Sequence, residues 1–291
     1  MIGSNPFQGL VALSCACLMI AACATTSGEV EQPGESASTA GMPAEEVVKE
    51  LAPGFLEGYL SEEEQLDSAV FVLPAPAEDS AMQALDAAWS EGTFALRGTD
   101  RWDLAIRDAD LHFPAAPRAF SCALGLDVDE ERTPALYMLL RRTLTDIGLS
   151  TYAAKNKYQR ERPFMQNGQP ICTPEDEEAL RKDGSYPSGH TAIGWGWALI
   201  LTELAPDRTE ALLARGRAFG ESRNVCNVHW YSDVVAGRLA AAGAVAKLHT
   251  KETFLKAMAG ARAEIESARS AGGGPEGDCN AEAKALAVSL Q

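Results

Sequence analysis

Histidine is scarce in this sequence, with four among 291 residues. Any chemistry that needs imidazole must therefore draw on His112, His190, His229 or His249. Basic residues are outnumbered, 25 Lys and Arg against 41 Asp and Glu, which gives a formal net charge of −16. A chain of that sign lacks the extended positive surface needed to hold a nucleic-acid backbone, so nucleic acid is excluded as a partner. A local cluster of cations would stand out against this background. Long apolar runs are also missing: none reaches the eighteen or so uninterrupted residues of a bilayer-spanning helix. Cysteines at zinc-ligand spacing are absent too, apart from Cys226 close to His229, so no metal and no other cofactor is expected. No segment repeats internally, and none after Pro76 alternates apolar and polar residues as a half-buried strand would.

What remains is helical pattern. Segments Ser80 to Leu96 and Arg101 to Asp110 are Ala/Leu-rich. From Thr133 to Ile147, Leu136, Leu139, Leu140, Leu144 and Ile147 fall on one stripe, with Gly148 read as the stop. Ser188 to Leu204 is strongly apolar and closed by Pro206. Arg208 to Ser222 and Ser232 to His249 follow, the second small-residue-rich at Ala240-Ala241-Ala242-Gly243-Ala244, which permits close helix approach. The expected fold class is all-α, a compact helical bundle over 45–270, with a Gly-rich break and short helical tail over 271–291. Segment Glu45 to Pro76, broken by Pro53-Gly54 and Pro74-Ala75-Pro76, reads as an extended wrapping stretch.

The first 23 residues read as an export signal: Leu10 to Ala22 is too short to span a bilayer and the right size for a signal core. It ends in Ile20-Ala21-Ala22-Cys23, which resembles the lipobox of bacterial lipoproteins, although Met1 to Gly9 carries no Lys or Arg. Residues 24–44 are a Ser/Gly/Glu/Thr/Pro-rich tether. The expected location is the periplasm, with a lipid anchor through Cys23. Of seven cysteines, Cys15, Cys17 and Cys23 belong to this leader. Cys122, Cys172, Cys226 and Cys279 remain, an even number suited to one or two disulfides in any of three pairings.

Three blocks carry chemistry. In Ser222-Arg223-Asn224-Val225-Cys226-Asn227-Val228-His229-Trp230-Tyr231-Ser232-Asp233, helical spacing would let Asp233 hold one ring nitrogen of His229 and leave the other aimed at a substrate. Arg223 adds a rigid fork of donors suited to an oxyanion. In Lys155-Asn156-Lys157-Tyr158-Gln159-Arg160-Glu161-Arg162-Pro163, Lys155 and Arg162 are two helical turns apart, so both charges would project from one face. In Gly184-Ser185-Tyr186-Pro187-Ser188-Gly189-His190, Ser188 and Gly189 open the apolar helix and expose N–H groups at its positive end, with His190 beside them as a proton donor. So much positive charge within an acidic protein suits a multiply charged oxyanion, and one acid with one nucleophile suits phosphoryl transfer.

The ordered pattern Lys155-x6-Arg162-Pro163, Pro187-Ser188-Gly189-His190 and Ser222-Arg223-x5-His229-x3-Asp233 resembles the signature of the type 2 phosphatidic acid phosphatase superfamily, which includes vanadium haloperoxidases. Phe120-Ser121, Tyr152 to Tyr158, Lys182-Asp183-Gly184-Ser185-Tyr186 and Gly220-Glu221 are similar to the soluble class A bacterial nonspecific acid phosphatases, over about Gly58 to Ala268. This resemblance implies that His229 attacks phosphorus to form a phosphohistidine while Asp233 orients it. It implies that His190 protonates the leaving oxygen and then activates water. Lys155, Arg162, Ser188, Gly189 and Arg223 would bind the phosphate oxygens, and no metal would take part. Small phosphomonoesters over a broad range, nucleotides and sugar phosphates among them, are the implied substrates, with phosphate transfer to an alcohol as a side activity. Phosphate and vanadate are the implied inhibitors, and a homodimer the expected assembly. An acidic optimum follows if His190 must be protonated while His229 is not.

Three other readings stand beside this one. A vanadium-dependent haloperoxidase would use the same cradle, since vanadate mimics the phosphoryl transition state. A lipid phosphatase of the superfamily would need membrane spans that the sequence lacks. A non-catalytic phosphate-binding lipoprotein of the envelope would not need an oriented nucleophile.

Overall fold

Ser188 and Pro206 punctuate the helix at the centre of the molecule. The protein is described by a computed structural model covering residues 48–288 and Leu290, and these belong to a unit formed by Val47–Gln291. The expected leader, tether and Cys23 lie outside the described residues. Helices of seven or more residues are α1 (Ala81–Thr93), α2 (Asp100–Arg107), α3 (Pro134–Leu149), α4 (Tyr152–Tyr158), α5 (Gly189–Leu204), α6 (Thr209–Val225), α7 (Tyr231–Leu248), α8 (Glu252–Ser270) and α9 (Cys279–Leu286). The all-α expectation holds, with one addition: Glu50–Ala52 (β1) and Phe55–Leu56 (β2) pair antiparallel. Gly54, at φ 83°, supplies the left-handed turn residue between them.

The core is built around α5. Ser188 caps it by accepting the Thr191 N–H at 3.3 Å, and its apolar residues point all round because α3, α6 and α7 pack against it. Trp197, Ile200 and Leu201 are fully buried. Helix α8 packs mainly against α3 and also touches α5, adding Phe254, Ala261 and Ile265 to the same core. At Gly237 of α7 a Cβ would lie 2.5 Å from the Ser188 carbonyl oxygen, so only glycine lets α7 press against the start of α5. That approach sets Asp233 beside Ser188, whose N–H donates to the Asp233 carbonyl at 3.0 Å. Two elements of the site are joined by it.

Helix α3 runs through Gly148 to Leu149 instead of stopping there. Gly148 faces Ile193 of α5, and the helix ends only where Ser150 and Thr151 turn the chain toward α4. The wrapping segment lies along α3. Thr145 donates to the Leu56 carbonyl at 2.6 Å, Arg142 to the Gly58 carbonyl at 2.6 Å, and Asp146 accepts the N–H groups of Tyr59 at 2.8 Å and Leu60 at 3.0 Å. Burial pushes the Asp146 carboxyl up to about 6 despite those donors. Disulfides join Cys122 to Cys279 and Cys172 to Cys226, one of the three open pairings. The first fastens α9 to the segment Ser121–Leu124, and the second lies three residues before His229.

Candidate active site

His229 sits just before α7 and Asp233 in that helix's first turn, so the pair meets across a helix start and not along a helix face. Asp233 is fully buried and saturated. It accepts the Trp230 N–H at 2.8 Å, the Arg160 guanidinium at 2.6 Å and the Ser185 hydroxyl, and it stands 3.3 Å from His229 Nδ1. The Asn224 amide donates to the His229 carbonyl at 2.9 Å and fixes the backbone of the same residue.

The tautomer of His229 follows from its neighbours. Arg162 Nη1 lies 3.0 Å from Nε2, and a guanidinium can only donate, so Nε2 carries the lone pair and Nδ1 the proton that faces Asp233. Burial, with Arg162, Lys155 and Arg223 nearby, holds this imidazole well below its usual range and therefore neutral. A basic nitrogen is thus held inside a ring of cations. His190 presents the opposite nitrogen. Its Nε2 lies 2.9 Å from the Ala109 carbonyl, which only accepts, so Nε2 bears the proton and Nδ1 is the titrating atom. Burial and Arg223 lower its pKa as well.

Lys155 and Arg162 do not share a helix face. Helix α4 ends at Tyr158, Gln159 takes a left-handed φ of 43°, and Arg162 becomes the N-cap of the short helix Pro163–Asn167. Both side chains reach the site nonetheless, because each is tied to the strand of chain before α5. Lys155 donates to the Gly184 carbonyl at 2.6 Å, and Arg162 to the Leu180 carbonyl at 2.8 Å. Asp183 binds both, at 3.2 Å from Lys155 and 3.1 Å from Arg162. Burial and the adjacent Arg162 charge bring the Lys155 ammonium down to about 8.

Arg223 differs from every other cation here. It is 1% exposed, and its Nε and Nη1 have no hydrogen-bond partner among the described residues. Burial and then Arg162 lower its pKa to about 10, so it remains charged near neutrality. A desolvated, unpaired guanidinium is costly in a resting protein and is offset once an anion arrives.

Of the residues singled out in the sequence, Lys155, Arg162, Gly189, His190 and His229 line one cavity of about 450 Å³. Asp233, Ser188 and Arg223 lie buried behind that lining. The Ser188 hydroxyl is engaged with the Thr191 N–H and hydroxyl, so its one hydrogen is what it can offer a ligand. Arg160, Ser185, Asn224 and Asp183 were not assigned roles from sequence. Arg160 grips Asp233 while also binding Asp86 at 2.7 Å and Ser232 at 2.7 Å, and Asp86 lies 74 residues away in the chain. No spacing rule would have found that partner. Ser185 and Asp183 stood beside the Ser188-Gly189-His190 block, and that adjacency was the available signal.

The arrangement offers a neutral nucleophilic nitrogen, a second imidazole, and several N–H donors around a small volume. Residues 134–254 match the model of the PAP2 superfamily. The chain is 45% identical over 214 residues to a protein of Zymomonas mobilis named acid phosphatase, covering 72% of this chain and 80% of that protein. It is 42% identical over 208 residues to a non-specific acid phosphatase of Providencia stuartii, covering 71% and 84%. It is 39% identical over 221 residues to a non-specific acid phosphatase of Salmonella typhimurium, covering 75% and 88%.

Proposed function

Because this chain belongs to the PAP2 superfamily, we propose that it is an acid phosphatase that hydrolyses phosphomonoesters through a phosphohistidine. The observation that carries the reading is Arg223, buried with two N–H positions unpartnered, beside a histidine whose Nε2 lone pair is free to leave Arg162 and attack. The phosphoryl oxygens take the donors of Lys155, Arg162, Arg223, Ser188 and the Gly189 N–H, which oppose the charge that develops in the transition state. His229 Nε2 forms the bond to phosphorus as the ester P–O bond breaks. Asp233 holds the proton on Nδ1 and stabilises the charge the ring acquires.

His190 Nδ1, once protonated, delivers its proton to the leaving oxygen and then takes one from the water that opens the phosphohistidine. In the free site burial, and then the Arg223 charge, keep His190 deprotonated, whereas a bound phosphate dianion offsets the cationic field and favours the protonated form. Protonation on binding is promoted at low pH, which is the physical origin of an acidic optimum. The charge that a divalent metal would provide comes from side chains, so the reaction proceeds without one. Export to the periplasm with anchoring at Cys23 belongs to the same proposal, supported by two disulfides that require an oxidising compartment.

The test is hydrolysis of p-nitrophenyl phosphate from pH 4 to 9 in EDTA, beside His229→Ala. The expected result is turnover peaking below neutrality in the parent, a loss of about 10⁴-fold or more in the variant, and protein denatured in alkali, where a phosphoramidate survives, that carries phosphate only in the parent. Unimpaired turnover by His229→Ala would sink the mechanism.

A further inference from the structure

The two ends of the active-site cavity differ in chemistry. Lys155, Arg162, His190 and His229 gather at one end, and Leu51, Phe55, Leu111, Leu149, Tyr152 and Ile193 form walls leading away from it. Three of these, Leu51, Leu149 and Tyr152, are 48%, 41% and 44% exposed, large side chains left in water around the mouth of a charged site. The remaining wall hydroxyl, that of Thr145, is held by the Leu56 carbonyl at 2.6 Å. Apart from Asp183 and the cationic end, the wall side chains with hydrogen-bonding capacity left for a ligand are the Tyr152 hydroxyl and the Thr145 oxygen, which can only accept.

Resting on the phosphatase reading, we propose that this site selects soluble phosphomonoesters of apolar alcohols and phenols over those of polyols and sugars. With the phosphate seated against His229, the ester's organic group leaves the site past these walls, which line the rest of the cavity up to its open mouth. A sugar would surrender water from its hydroxyls and meet carbon, whereas an alkyl or aryl group would cover Leu149, Leu51 and the Tyr152 ring. The hairpin of β1 and β2 completes the wall because Thr145, Arg142 and Asp146 fasten the chain after it to α3. The subsite is therefore built into the fold.

Propyl phosphate and glycerol 1-phosphate share a three-carbon skeleton and a primary leaving oxygen, and differ in two hydroxyls. We expect kcat/KM for the propyl ester to be higher by about tenfold or more, and to rise roughly two- to fourfold per added methylene toward hexyl. Leu149→Ser and Leu51→Ser should each flatten that rise. Methyl- and hexylphosphonate, which cannot be hydrolysed, give an arm independent of turnover: the hexyl compound should raise Tm more at equal concentration. Equal or reversed propyl-to-glycerol ratios, or equal stabilisation by the two phosphonates, would overturn the assignment while leaving the phosphatase intact. Faster hydrolysis of phosphatidate in vesicles than of octyl phosphate would overturn the soluble source in favour of a bilayer. Silence on every ester, p-nitrophenyl phosphate included, would overturn both readings.

Discussion

Two buried arginines on α6, Arg215 and Arg223, stand about two turns apart and are 2% and 1% exposed, yet they live in opposite states. Arg215 lies 2.5 Å and 3.2 Å from the two oxygens of Asp108, with Glu282 of α9 beyond. Burial pulls its pKa down, but Asp108 more than offsets this, and the net shift is upward. Among the described residues no carboxylate reaches Arg223 at ion-pair distance, and burial, then Arg162, brings its pKa down. The same residue type at the same depth is structural where its charge is matched and functional where it is not. Asp108 also accepts the Ser222 hydroxyl at 2.6 Å, so the matched arginine steadies the helix turn that carries the unmatched one.

The sharpest way to break this comparison is to remove each guanidinium. Arg223→Ala should lower kcat/KM by about 10² to 10³-fold with Tm held or raised, since no partner is orphaned. Arg215→Met should instead cost roughly 3–5 kcal/mol of stability, because Asp108 is left charged and buried. Paired steady-state kinetics and calorimetry read both. A thermally silent Arg215→Met, or a destabilised Arg223→Ala, would end the distinction.

A smaller effect comes from pH. His190 and His229 have folded pKa values below their unfolded ones, so the unfolded chain binds more protons. Stability of the free enzyme must then rise with pH across that interval and fall as pH drops below about 6.5, by at most about 1.4 kcal/mol per unit per histidine. Saturating phosphate should flatten this slope in the parent protein and leave it steep in Arg223→Ala. Melting curves from pH 5 to 8, with and without phosphate, decide it.

The smallest expected effect concerns Asp183, whose side chain is 38% exposed and whose carboxylate meets both Lys155 and Arg162. It competes with the incoming phosphate for those two cations. Asp183→Asn should therefore tighten inhibition by inorganic phosphate by about threefold, a modest gain because solvent screens the pair. Weaker inhibition would mean that Asp183 positions the cations instead of opposing their ligand.

Local signals carried much of the architecture. Ser188 as a cap, Pro206 as a stop and the Leu stripe of α3 each act within one or two turns, and each places its helix as read. The three chemistry-bearing blocks could be read for the same reason, since residue type and order suffice to nominate them. Spacing misled where the backbone broke. Gln159 adopts a left-handed conformation more usual for Gly or Asn, so nothing in the text between Lys155 and Arg162 announced the end of α4. Gly148 carries the sequence signal of a stop, but the helix continues through it, with Ile193 at ordinary contact distance from where a Cβ would sit. The Arg160 bridge to Asp86 and Asp233 is a tertiary fact, as is the hairpin over Glu50–Leu56, whose strands are too short to alternate.

The Cys122–Cys279 staple sets an order of events during synthesis. Every residue of the site, from Lys155 to Asp233, leaves the ribosome before Cys279 does. By chain-entropy accounting, closing a loop of 157 residues stabilises the fold by on the order of 5 kcal/mol. A nascent chain therefore carries its full complement of catalytic side chains while still without that crosslink. Its final gain in stability arrives only when α9 emerges and meets an oxidant.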